Sequence, residues 1–198
     1  MFQIMYFLLK KTMKLLYKFL ITVFLFLSFS SVGLCALSGF EENRIDAVKN
    51  ARNHSNLGNI YFNEKNYYGA LREYQIAFNL TYDLNSSATY LYNIARAFIA
   101  LGDYTGAKKA ILMALDRDCI NITYYQTLVD CYIALGIEKK ELNKHLFDNT
   151  NPYNRIVAGL IYLKCGYPMY AKVIFDEFIL NNPDMIITED IKAILRTL

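Results

Sequence analysis

The sequence predicts an all-α chain of about four helix–turn–helix units stacked as a solenoid, behind an apolar amino-terminal segment. Three observations predict it. Gly and Pro are scarce, 9 and 3 in 198 residues, which disfavours a turn-rich β chain. The chain is 55% hydrophobic and carries 17 Tyr and 13 Phe, enough for a packed core. Short breaks also recur at a near-constant spacing between stretches with helical apolar period.

Residues 1–38 read as a signal peptide or membrane anchor. Lys10, Lys11, Lys14 and Lys18 precede an uncharged run from Phe19 to Phe40, and no acidic residue comes before Glu41. A basic flank, a short apolar core and then small residues is the order of a secretory signal, with Met13 or Met5 as its start. Cleavage is expected after Cys35 or after Ser38. Two other fates stay open. Residues 19–40 are long enough to span a bilayer, with the lysines holding the amino terminus in the cytoplasm. Alternatively, VGLC ending at Cys35 resembles a lipobox, although Leu34 stands where a small residue belongs. All three place the remainder outside the cytoplasm: periplasmic or secreted after cleavage, otherwise membrane-anchored and facing out.

Residues 41–198 form the repeat domain. The stretch EENRIDAVKNARN (41–53) looks helical and leads into the first repeat. Four stretches then align on their breaks: LGNIYFNEKNYYGALREYQIAFN (57–79), IARAFIALGDYTGAKKAILMAL (94–115), LVDCYIALGIEKKELNKHLF (128–147) and AGLIYLKCGYPMYAKVIFDEF (158–178). Tyr61, Phe98, Tyr132 and Tyr162 precede the breaks. Gly102, Gly136 and Gly166 occupy three breaks and Lys65 the fourth, spaced 37, 34 and 30 residues apart. Ala70, Ala107 and Ala171 follow. Small residues let paired helices approach, aromatics fill the space left, and Gly provides a left-handed cap. One pair cannot bury its apolar face alone, so the pairs stack. At the carboxyl end Thr188 is placed to cap TEDIKAILRTL, whose Ile191, Ile194, Leu195 and Leu198 form an apolar face over the last repeat.

The pattern resembles the tetratricopeptide repeat (TPR) family over about residues 51–185. The first repeat carries it in Leu57, Gly58, Tyr61, Tyr67, Ala70, Tyr74 and Ala77. The second does so in Ala95, Phe98, Gly102, Tyr104, Ala107 and Ala114, and the fourth in Gly159, Tyr162, Gly166, Ala171, Phe175 and Pro183. The third departs: Glu141 stands in the small slot and His145 in the aromatic slot, and the short spacing predicts a truncated helix and a distorted or open slot. The resemblance implies a noncatalytic scaffold binding a protein or peptide segment in a concave groove lined by the first helices. Its carboxylate-clamp variant is not supported. Asn59 and Asn93 match, but Ser55, Thr123 and Thr127 replace the cations needed for charge-assisted bonds.

Helical spacing puts Ser55, Asn59 and Phe62 on the inward column, then Tyr92, Arg96 and Ile99. Gln126, Asp130 and Ile133 continue it, and Ile156, Leu160 and Leu163 make its apolar end. Asn59, Tyr92, Arg96, Gln126 and Asp130 are the expected partner-binding residues. No catalytic or metal site is expected and no cofactor: His54 and His145 fall in no metal-spaced cluster, and no phosphate loop or nucleophile elbow occurs. Beyond the four early lysines, 17 basic residues face 18 acidic ones, leaving no basic stripe for nucleic acid. Cys131 and Cys165 are expected to pack, and Cys119 is either free or bridged to Cys131.

Overall fold

The computed structural model describes residues 46, 48–148 and 150–198. The signal, anchor and lipobox readings of residues 1–40 lie outside the described residues. Every regular element among the described residues is a helix. The first, α1, covers 48–63. It is followed by α2 (Tyr67–Leu80), α3 (Leu84–Ala100), α4 (Tyr104–Leu115) and α5 (Ile122–Ala134). Then come α6 (Glu138–Phe147), α7 (Tyr153–Lys164), α8 (Pro168–Asn181) and α9 (Ile187–Leu195).

The four breaks share one backbone geometry. The amide five residues after Tyr61, Phe98, Tyr132 and Tyr162 donates to that aromatic's carbonyl at 2.8–3.0 Å. The preceding amide donates three residues back: Lys65 to Phe62, Gly102 to Ile99, Gly136 to Ile133 and Gly166 to Leu163. This is the Schellman arrangement, and it requires a left-handed residue at the turn. Gly102, Gly136 and Gly166 have φ of 79°, 66° and 83°, and Lys65 has φ 62°. A side chain there costs about 1–2 kcal/mol in backbone strain, partly offset by the greater freedom glycine has in the unfolded chain. Lys65→Gly is therefore expected to raise stability by about 0.5–1 kcal/mol, read as a higher urea midpoint at unchanged slope. Two of the breaks then restart their helices through side-chain caps, Asn66 accepting from the Gly69 amide and Asp103 from the Gly106 amide, whereas α6 and α8 begin without one.

Consecutive helices pack as antiparallel neighbours joined by these short turns. Tyr74 and Phe175 lie fully buried against Gly58 and Gly159, where any Cβ would collide with the ring. Their equivalents in the second unit, Ala95 and Ile111, are also fully buried. Contacts between units keep the helices in two layers. Arg96 of α3 stacks on Phe62 of α1, Tyr92 of α3 meets Tyr124 of α5, and Lys164 of α7 pairs with Asp130 of α5. On the other side Arg117, just after α4, lies over Phe78 of α2.

The terminal helix closes the array, though not as expected. α9 begins at Ile187, so Thr188 lies inside it; fully buried, its hydroxyl donates to the Asn182 carbonyl at 2.7 Å instead of capping. Ile187 and Ile191 are fully buried, whereas Leu198 is exposed beyond the helix end.

The third pair is the irregular one. Val129, fully buried, occupies the position held elsewhere by Gly58, Ala95 and Gly159. Facing it, α6 offers Glu141 and His145, with Asp148 at its carboxyl cap, where α8 offers Ala171, Phe175 and Phe178. With a branched side chain on one helix and polar ones on the other, close approach is blocked. α6 is also short, 10 residues against 14 in α2 and α8, and it starts without a side-chain cap. It leans mainly on α7 and only thinly on α5. His145 nevertheless lies buried, its Nδ1 2.7 Å from Asn154 Oδ1. Burial lowers its pKa below the ordinary value, against a smaller upward pull from the Asn154 hydrogen bond. A histidine depressed in the folded state stabilises above its unfolded pKa and loses that contribution as pH falls through the folded one. Stability is therefore expected to drop below about pH 6.5, and His145→Gln to flatten that limb of the pH profile.

Candidate functional site

The face of the first helices begins on α1. Asn59 is exposed, and its Oδ1 accepts a hydrogen bond from the Tyr74 hydroxyl at 2.8 Å. One turn on, the half-buried Phe62 ring carries the Arg96 guanidinium 4.6 Å from its centroid. Tyr92 flanks the same guanidinium at 5.9 Å, and Arg96 Nη1 reaches the buried Asn93 Oδ1 at 3.4 Å. Among the described residues no carboxylate pairs with Arg96. Its charge is thus held in place by two aromatic faces yet remains uncompensated.

The column continues on α5. The Tyr92 and Tyr124 rings are 5.2 Å apart, joining α3 to α5. Gln126 is half-buried and without a side-chain partner among the described residues. Asp130 is not a free acid, because Lys164 Nζ holds Oδ1 at 2.8 Å. Both groups are well exposed, so this pair adds no more than about 1 kcal/mol; its effect is to neutralise that end of the column.

The five expected residues therefore divide. Asn59, Tyr92 and Arg96 come together around Phe62, while Gln126 and Asp130 extend the same face beyond Tyr124. Sequence reading missed the Tyr74 hydroxyl, Tyr124 and Lys164. Lys164 had a signal, since it stands one turn after Leu160, the position equivalent to Asp130.

The apolar end of the column needs correction. Ile156 and Leu160 are 0% and 1% exposed, and only Leu163 is half-buried, because α7 is enclosed by α5, α6 and α8. Nothing apolar is presented there by the first two. Cys165 is likewise misplaced by the sequence reading: it sits exposed at the carboxyl cap of α7. Cys119, Cys131 and Cys165 are all free thiols, so the Cys119–Cys131 bridge does not form. Cys119 Sγ instead donates to the Tyr153 hydroxyl at 3.2 Å, while burial raises the Cys131 thiol to about 11. His54 Nδ1 lies 2.6 Å from Glu73 Oε2, tying α1 to α2. Among the described residues no three His, Cys, Asp or Glu side chains converge as metal ligands, and no helix is long and apolar enough to cross a membrane.

No protein-family model and no curated protein matches the chain. Among solved structures it is similar to the Arabidopsis OM64 TPR domain, at 18% identity and a TM-score of 0.44, over 76% of this chain and 98% of that one. It is also similar to Pseudomonas aeruginosa PilF, at 19% identity and a TM-score of 0.46, over 78% of this chain and 71% of that one. These likenesses add neither partner nor activity. The repeated cap, the small-against-large pairing and the two helical layers make the described residues an all-α, TPR-like solenoid.

Proposed function

We propose that the chain is a noncatalytic scaffold that holds an extended or helical segment of a partner protein along its first helices, outside the cytoplasm. The observation that carries this reading is Arg96, clamped between Phe62 and Tyr92 without a carboxylate of its own. A cation fixed in advance loses little side-chain freedom on binding, and aromatic and arginine side chains are the usual anchors of protein interfaces. The partner segment that fits presents a carboxylate to Arg96 beside an apolar or aromatic residue for Tyr92, with Asn59 and Gln126 supplying polar contacts.

Arg96→Ala and Tyr92→Ala are each expected to weaken binding of a partner recovered from the native cell at least about tenfold. Affinity within twofold of the parent for both variants would reject the assignment. A second reading, a membrane-anchored assembly factor, is favoured by the uncharged run 19–40. The amino-terminal residue and mass of the protein from soluble and membrane fractions separate the two. A soluble product starting near Ala36 or Gly39 supports the free exported scaffold, and a retained or lipidated segment in the membrane fraction supports the anchored one.

A further inference from the structure

A cavity of about 410 Å³ lies where the turn between α7 and α8 meets the start of α6. That volume lies in the range of small-molecule sites. None of the first-helix residues around Arg96 lines it. Leu142 and Ile161 supply apolar wall, Tyr162 and Tyr167 aromatic wall, and Glu138 the single carboxylate of the lining.

Both rings are open to a ligand, Tyr167 being 54% exposed and Tyr162 half-buried. They stand perpendicular, at 89°, with centroids 6.4 Å apart. Tyr170 stacks on one face of Tyr162 at 5.4 Å and does not line the cavity, so the opposite face is the one left to it. An aromatic face carries the negative part of the ring quadrupole and attracts a cation. A cation held 4.6 Å from each of two perpendicular faces, the distance Arg96 keeps over Phe62, needs centroids about 6.5 Å apart. The two tyrosines have that spacing.

The lining also selects the kind of cation. A primary ammonium brings three N–H donors, and the Leu142 and Ile161 walls accept none of them. Glu138 Oε2 is buried in the wall without a hydrogen bond, and no side chain pairs with it among the described residues. Lys139 beside it is exposed, so water screens the lysine charge more than the carboxylate's. A quaternary nitrogen meets all these constraints. It has no N–H to satisfy, its methyl groups lie on apolar and aromatic surface, and it feels the Glu138 charge without touching the buried oxygen.

We propose that this cavity binds the trimethylammonium group of a small choline-type molecule, seated in the corner of Tyr162 and Tyr167 beside Glu138. The test titrates the full chain by calorimetry with three probes, and follows saturation transfer from tyrosine ring protons to the choline methyls by NMR. Choline carries the methylated charge, ethanolamine lacks the methyls, and 3,3-dimethyl-1-butanol keeps the shape without the charge. Choline is expected to bind saturably, and the other two at least about tenfold more weakly. Tyr167→Leu should weaken choline at least about tenfold with the helical circular dichroism unchanged, while Tyr167→Phe, which keeps the ring, stays within about twofold. Glu138→Gln should weaken choline at least about threefold while leaving the neutral probe unaffected. Phosphatidylcholine vesicles present the same group on a surface. Co-sedimentation that choline competes away assigns it to a lipid headgroup, and no co-sedimentation assigns it to a free solute. Equal binding of the neutral probe would overturn the proposal. So would full affinity in Tyr167→Leu, or choline that neither saturates nor receives magnetisation from the rings.

Discussion

Gly159→Ala is expected to destabilise the chain by about 3 kcal/mol, the overpacking cost of one carbon in a tight core. A Cβ at this position would sit 2.7 Å from Phe175 Cδ1 and 2.8 Å from Cζ, far inside van der Waals contact. Phe175 is fully buried, so its ring has no solvent to swing into. Gly136→Ala is the informative control. Its Cβ would meet nothing within 4 Å, and only the left-handed backbone at φ 66° opposes it, so roughly 1–2 kcal/mol of strain is expected. Urea unfolding of both variants reads the difference. A Gly159→Ala protein as stable as the parent would mean that α7 and α8 are not held at the small-residue distance.

Tyr74→Ala is expected to cost about 3–5 kcal/mol, since it empties a fully buried ring site over Gly58. Tyr74→Phe separates packing from polarity. The ring stays, about 1 kcal/mol is lost with the hydroxyl, and Asn59 loses the donor that orients it on the first-helix face. Thermal unfolding together with partner affinity distinguishes the two roles. A Phe variant that melts near the parent temperature but binds more weakly would assign Tyr74 a positioning role through Asn59. Unchanged binding would confine Tyr74 to the core.

What was legible in the sequence was local. The breaks at Lys65, Gly102, Gly136 and Gly166 could be aligned because a Schellman cap is made within six residues of one chain segment. The small slots at Gly58 and Ala70, and the aromatic one at Tyr74, were legible because their chemistry repeats at the period. Glu141 and His145 stood out for the same reason, as exceptions to it. Misreadings fell where a residue's surroundings come from elsewhere in the chain. Ile156 and Leu160 follow the groove register, yet they are covered because α7 is enclosed by three other helices. Thr188 has the right chemistry for a cap but is drawn inward by the Asn182 carbonyl. Asp130 looked like a free groove acid, and only the packing of α7 on α5 supplies Lys164. For the candidate site, the column of positions was legible, but not its internal pairing: which charge is neutralised and which is left open depends on contacts between units.

The offset of α6 bears on how the array assembles and fails. In a stack of repeats, cooperativity passes from each unit to its neighbour through their shared interface, and its strength there sets how far order propagates. Toward the amino end α2, α3 and α4 are well coupled, and α7–α8 with α9 form a second ordered block. Between them the polar inner face of α6 carries little of that coupling, so α5 against α7 is the main bridge. Ordering that begins in either block is expected to stall at α6. The same helix can open without dissolving its neighbours, making it the weak link at which the chain behaves as two cooperative segments.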